Sequence, residues 1–163
     1  MDPIASLVPI TENNHNVRLQ LAYATPDNFT GQPVYRNAYC YLHPDAEKAL
    51  TRAALSARQA GWHLLVFDGY RPAQAQQILF DFANDPTFVA DPKRGSHHTR
   101  GCAVDVSLLD GDGNELDMGT GFDAMQAESF HFCDGLSEQV QKNRLALLGI
   151  MLSAGFEHIP SEW

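Results

Sequence analysis

A histidine and an aspartate seven positions apart, His98 and Asp105, are the first residues here whose types could do chemistry together. They lie in the run Ser96-His97-His98-Thr99-Arg100-Gly101-Cys102-Ala103-Val104-Asp105. The stretch from Cys102 to Leu108 reads as a strand, and a strand turns successive side chains to opposite faces. Cys102, Val104 and Val106 then share an apolar face, and Ala103, Asp105 and Ser107 share the other. A carboxylate in an apolar strand is costly to bury unless it is paired or holds a cation. His98 sits in the polar loop just before, and Gly101 permits a tight turn between them. Imidazole nitrogen with carboxylate oxygen suits Zn²⁺, and a catalytic zinc keeps one position open for water. The plainer alternative is a polar loop histidine beside a buried salt bridge. From these two residues alone that alternative is the better supported.

The elements that must position them follow from periodicity and punctuation. Leu7–Ile10 and Val17–Tyr23 have the short apolar alternation of strands. Ala46, Ala49, Leu50, Ala53, Ala54 and Ala57 recur at helical spacing, with Pro44 suited to the first turn and Gly61 to the stop. His63–Phe67 is an apolar run that fits a buried strand, and Asp68–Pro72 is a sharp turn leading to a helix that ends near Ala83. Residues 110–121 read as a hairpin-like loop. Residues 138–154 read as the longest helix, ended by Gly155, with a last strand beginning at Phe156. Helices and strands do not alternate strictly, so the fold expected is α+β, a mostly antiparallel central sheet flanked by helices in a single domain, 1–163.

Composition narrows the function. Eleven Lys and Arg against 20 Asp and Glu give a net charge of −9, which repels nucleic acid and anionic membranes, so neither is expected as a partner. The N-terminal stretch lacks a basic segment followed by an apolar core, and no apolar run approaches the ~20 residues of a membrane span. A cytoplasmic chain is expected, and the sequence carries no indication of oligomeric state. Cys40, Cys102 and Cys133 are too few and too widely spaced for a disulfide framework or a cysteine-rich zinc site. They read as free thiols, buried or half-buried.

The wider pattern changes the reading of His98 and Asp105. Ser96 to Asp105 resembles the S-x-H-x-x-G-x-A-x-D signature of the peptidases that cleave D-Ala-D-Ala bonds. Asp68-Gly69-Tyr70-Arg71-Pro72 resembles their D-x-Y-R-P motif, and Ser161-Glu162-Trp163 the start of S-E-W-W-H. The segments from Tyr23 to Gly31 and from Met118 to Asp123 resemble the zinc dipeptidase branch, which includes the vancomycin-resistance dipeptidases.

The resemblance implies a role for each matching position. His98 and Asp105 would be two of three ligands to one Zn²⁺. Glu162 would be the general base, and Arg71 would stabilise the oxyanion, with Asp68 orienting it. Asp123 and Tyr23 would bind the amino end of a small dipeptide, and Ser96 would lie near its carboxylate. Taken without the pattern, Arg71 could cap its turn, Glu162 could be a surface charge and Asp123 a helix cap.

The third ligand of the family, a histidine three positions after Glu162, falls past Trp163, and neither His131 nor His158 fits its place. The resemblance therefore implies a chain shortened at its C-terminal end, with weak zinc binding and little turnover. Two other readings stand beside a D-Ala-D-Ala dipeptidase. One is an inactive relative that keeps the fold, and the other is a peptidoglycan D,D-carboxypeptidase.

Overall fold

A computed structural model describes residues 6–163, so the first five residues of the segment read as lacking an export signal lie outside the described residues. In chain order the elements are β1 (Val8–Ile10), α1 (Glu12–His15), β2 (Val17–Leu19), β3 (Cys40–Leu42), α2 (Pro44–Gln59), β4 (His63–Asp68), α3 (Ala73–Ala83), β5 (Asp105–Leu109) and α4 (Glu138–Ala154). Strands β2, β4 and β5 form one sheet in that order, with β2 parallel and β5 antiparallel to the central β4. β1 and β3 form a separate antiparallel pair. The α+β expectation is borne out, although the three-stranded sheet is mixed.

Strand β4 is buried from Leu64 to Asp68 because it is covered on both faces. Such strands read as continuous apolar runs rather than alternations. One face packs Leu64 and Val66 with Leu108 of β5 against Leu50, Ala53 and Ala57 of α2. The other packs Leu65 and Phe67 with Leu109 against Phe122. Helix α2 has Pro in its first turn, and the His43 side chain accepts from Asp45 N at its N-terminus. Helix α4 starts on Ser137, whose Oγ accepts from Val140 N at 3.2 Å, and ends at Gly155 with φ 108°.

Several local readings differ from the sequence expectation. The strand from Val17 stops at Leu19, and the chain turns through a single 3-10 turn at Ala22–Ala24. α1 has no periodic signal in the sequence. It is a four-residue turn capped by Thr11, whose side chain accepts from Asn14 N. β3, three residues long, has none either. Cys102 lies before β5 rather than within it, so its thiol is exposed and not part of the core face, whereas Val104 and Val106 do pack against the core. The last strand expected from Phe156 is replaced by one isolated bridge, Ile159 to Glu162. Glu162 N donates to Ile159 O across it at 3.1 Å, and Pro160 between them has no N–H to extend a ladder.

Candidate active site and metal centre

The site begins where β4 ends. A register shift between Val66 and Asp68 brings Asp68 opposite Asp105 of β5, so two carboxylates face each other at one end of the sheet. Gly69 then passes so close to β3 that a Cβ there would lie 2.8 Å from both Cys40 Sγ and Tyr41 O. Its carbonyl is thereby fixed, and it stands 2.8 Å from His98 Nδ1. A carbonyl can only accept, so Nδ1 carries a proton, and Nε2 is the nitrogen left to bind a cation once its own proton is lost. Nε2 lies 3.3 Å from Asp105 Oδ1. Gly101, at φ 71°, closes the turn behind His98, where a side chain would collide with His43 N. The neighbouring His97 is exposed and pairs with Arg100 instead.

Asp68 is 1% exposed and fully committed. Its Oδ1 accepts from the Tyr35 hydroxyl at 2.7 Å, and its Oδ2 from Arg71 Nε at 2.9 Å and from a terminal Arg71 nitrogen at 2.8 Å. Burial pushes this carboxyl upward, and the Arg71 charge works against that. Arg71 also donates to Gln76 Oε1 at 2.8 Å, and Gln76 Nε2 donates to Ala90 O at 2.8 Å. The guanidinium carbon lies 5.1 Å from the centre of the Tyr23 ring, within the range of a cation–π contact. A second Asp105 oxygen stands 3.4 Å from Arg71. Burial opposes the Asp105 charge, but His98 and Arg71 outweigh it and hold the carboxyl below its ordinary value. Burial and Arg71 likewise oppose a charge on His98, and the two aspartates outweigh them, so its value is raised.

One donor atom each from Asp68, His98 and Asp105 lies within 4.8 Å of the others, a grouping that could hold a cation. His98 and Asp105 fit zinc by chemistry, one imidazole nitrogen not engaged by the backbone beside a carboxylate oxygen. Asp68 fits less well, because both of its oxygens already accept hydrogen bonds from Tyr35 and Arg71.

In front of this group opens a cavity of about 450 Å³, lined among others by His98, Asp105, Asp123, Glu162, His131 and His158. Asp123 is half-buried at φ 57°, and its buried Oδ2 has no hydrogen-bond partner. Burial pushes its carboxyl up to about 7. Burial, then Asp105 and Asp123, push Glu162 up to about 8. His131 and His158 pack edge to face with ring centres 5.0 Å apart, and they stay outside the Asp68–His98–Asp105 group. Burial and His158 both depress His131.

Residues 4–163 match the D-ala-D-ala dipeptidase family. The chain belongs to that family. It is 41% identical over 163 residues to the D-alanyl-D-alanine dipeptidase of Escherichia coli K12, covering 100% of this chain and 84% of that one. It is 36% identical over 174 residues to the enzyme of that name from Enterococcus faecium (91% and 84%), and 32% over 170 residues to that from Streptomyces coelicolor (90% and 83%).

Within this dipeptidase family member, the residues singled out from the sequence fall into two sets. His98, Asp105, Asp123 and Glu162 line one cavity. Arg71, Tyr23 and Ser96 are buried behind it and are not among the lining residues. Tyr23 is 2% exposed, between Arg71 and the rings of Phe29, Tyr35 and Phe122. Ser96 Oγ accepts from His98 N at 3.2 Å and so shapes the turn that presents His98. Sequence reasoning missed Tyr35 and Gln76. Gln76 had a usable signal, since it sits between Ala75 and Leu79 on the buried face of α3. Tyr35 reaches Asp68 from a segment with no regular structure and had none.

Proposed function

We propose that this protein hydrolyses the dipeptide D-alanyl-D-alanine to two D-alanines, with zinc held by His98 and Asp105. The observation that carries the reading is the convergence of His98, Asp105, Asp123 and Glu162 on one cavity in a chain of this family. A free dipeptide has an ammonium at one end, and Asp123 offers an unpaired buried carboxylate oxygen to receive it. A cation there stabilises the ionised form of Asp123, which burial otherwise disfavours. Bound at His98 and Asp105, zinc supplies Lewis acidity and brings the pKa of water down to about 7.

Glu162 takes the proton from the attacking water and returns it to the leaving amine. Its raised value suits a group that must hold a proton as well as release it. Arg71, the buried cation nearest to Asp105, meets developing negative charge on the scissile carbonyl through space. Asp68, Gln76 and Tyr23 hold it in place, so no reorganisation is needed as the charge appears. In this reading Tyr23 and Ser96 serve the substrate indirectly, by fixing Arg71 and the His98 turn. The nucleic-acid and membrane exclusions rest on charge alone. Among the described residues, no helix is long and apolar enough to cross a membrane.

The test is D-alanine release from D-Ala-D-Ala by the zinc-supplemented protein, beside L-Ala-L-Ala and a longer peptide ending in D-Ala-D-Ala. Release from the free D,D-dipeptide is expected to exceed release from the other two by a wide margin. Cleavage of the longer peptide in preference would replace this reading with a D,D-carboxypeptidase, and no release from any substrate would overturn both.

A further inference from the structure

The segment from Asp117 to Phe130 carries Phe122 and Asp123, and its one regular piece is the 3-10 turn at Ala127–Ser129. Something outside it must fix its course. Helix α4 does so through two adjacent side chains. Arg144 donates from Nε to Met118 O at 2.7 Å, from one terminal nitrogen to Phe130 O at 3.0 Å and from the other to Glu128 O at 2.6 Å. Asn143 Nδ2 donates to Asp117 O at 2.8 Å. Both ends of the loop are thus tied to one turn of one helix.

The same guanidinium lies 5.9 Å from the centre of the Trp163 ring. Trp163 Nε1 donates to Thr120 Oγ1 at 2.7 Å, and Thr120 stands 3.0 Å from Ser129 Oγ, which donates to Ala124 O at 2.5 Å. Glu162, next to Trp163, is therefore tied to the loop that bears Asp123.

Arg144 is 2% exposed, and among the described residues no carboxylate forms an ion pair with it. Burying a guanidinium on carbonyls and a ring face, with Asp117 acting only outside ion-pair distance, is costly, and an apolar side chain of similar volume would suit core stability as well or better. What an apolar side chain cannot do is bind three carbonyls at fixed separations. We propose that Arg144 is a positioning residue. It holds the Asp123 loop and the Glu162–Trp163 segment in register, and so sets the selectivity for a substrate with a free amino end. This rests on the reading that Asp123 receives the ammonium.

The experiment compares Arg144→Lys, Asn143→Ala and Asp123→Asn with the unsubstituted protein. Amide hydrogen exchange is followed along the chain, and kinetics are measured with D-Ala-D-Ala and its N-acetyl derivative. Lys keeps the charge but not the fork, so amides of residues 117–130 should exchange about tenfold faster while those of α2 and β4 are unchanged, a local opening of the kind exchange resolves. KM for D-Ala-D-Ala should rise about tenfold while the N-acetyl substrate is unaffected, narrowing the preference for the free amine. Asn143→Ala should do the same to a lesser degree, and it serves as the milder probe if Arg144→Lys does not fold. Unchanged exchange in the loop overturns the proposal. So does an equal loss on both substrates with faster exchange everywhere, since that is plain destabilisation. Asp123→Asn separates the two claims. If it retains the preference, the Asp123 reading fails; if it loses the preference while Arg144→Lys and Asn143→Ala keep it, the Arg144 clamp fails.

Discussion

The two halves of the cavity are built on opposite electrostatic terms. On the sheet side, Asp68, Arg71, His98 and Asp105 form a closed network in which each charge has a partner at hydrogen-bond or ion-pair distance. On the loop side, Asp123 and Glu162 are half-buried carboxyls pushed up to about 7 and about 8, and Asp123 Oδ2 has no partner at all. The sheet side has its geometry settled before any ligand arrives, as preorganised catalysis requires. The loop side is left short of positive charge, which the cationic end of a substrate would supply in the function proposed above. In that function, the zinc ligands and the oxyanion partner fall to the satisfied half, and the ammonium receptor and the general base to the unsatisfied one.

The largest effects should come from breaking the satisfied half. In a chain that also supplies the family's third histidine ligand, His98→Ala or Asp105→Asn should abolish stoichiometric zinc, read by elemental analysis, and D-alanine release with it. Full zinc in both variants would remove these residues from the centre. Crossing to the other half, Glu162→Ala should leave zinc bound and lower turnover by at least ~10²-fold, the usual size of a general-base contribution. Zinc loss in that variant would mean that Glu162 belongs with the ligands and that the division drawn above is misplaced.

The same division decides what was legible in the sequence. His98, Asp105, Asp68 and Arg71 sit in two short runs, each on a strand end with its turn, so the resemblance of those runs to the family's motifs singled them out, whereas strand alternation alone favoured a buried salt bridge. The buried strand His63–Phe67 and the helices at Pro44 and Glu138 were legible without it, because periodicity and capping are local. Tyr35, the 117–130 loop and Trp163 meet only through long-range contacts from segments without periodicity, and nothing local announces them. Cys102 was misplaced because alternation was extended three residues before the strand begins. Arg71 was correctly paired with Asp68, but its burial behind the cavity wall depends on Tyr23 and Gln76, which only the packed fold brings together.

Intermediate effects test how rigid the satisfied half must be. Arg71→Ala should lower kcat more than it raises KM, by about 10²-fold or more, because the charge it meets appears mainly in the transition state. A pure KM effect would move Arg71 to ground-state binding. Tyr35→Phe removes only the hydroxyl that donates to Asp68 Oδ1. Supporting partners of this kind commonly contribute about 10–100-fold in metal affinity or activity, and the loss here should lie near the low end because Arg71 still holds the other oxygen. A Tyr35→Phe variant with wild-type kcat would show that Asp68 is positioned by Arg71 alone.

The smallest effect is the sharpest test of the unsatisfied half, and its sign is opposite to the rest. Asp123 has a folded value near 7 because burial disfavours its charge and no partner compensates, whereas an unfolded aspartate titrates near ~3.9. The folded state therefore binds the proton more tightly, and stability from this group is full below about pH 4. It falls as pH rises toward about 7 and is lost above that, since the unfolded chain holds fewer protons over that window. Glu162 continues the same decline toward about 8. Asp123→Asn is nearly isosteric and cannot ionise, so in chelator-treated protein at pH 8 it should be stabilising by about 1–3 kcal/mol, the range for a buried polar group lacking a partner. For a domain of this size that is a rise of roughly 2–4 °C in Tm per kcal/mol. The advantage should shrink as the pH is lowered toward 5, where the native carboxyl is already protonated. The same substitution should raise KM for D-Ala-D-Ala by about tenfold, because the ammonium loses its counter-charge. A Tm at pH 8 equal to or below that of the unsubstituted protein would mean that Asp123 is already satisfied without substrate, and the contrast between the two halves of the cavity would then not hold.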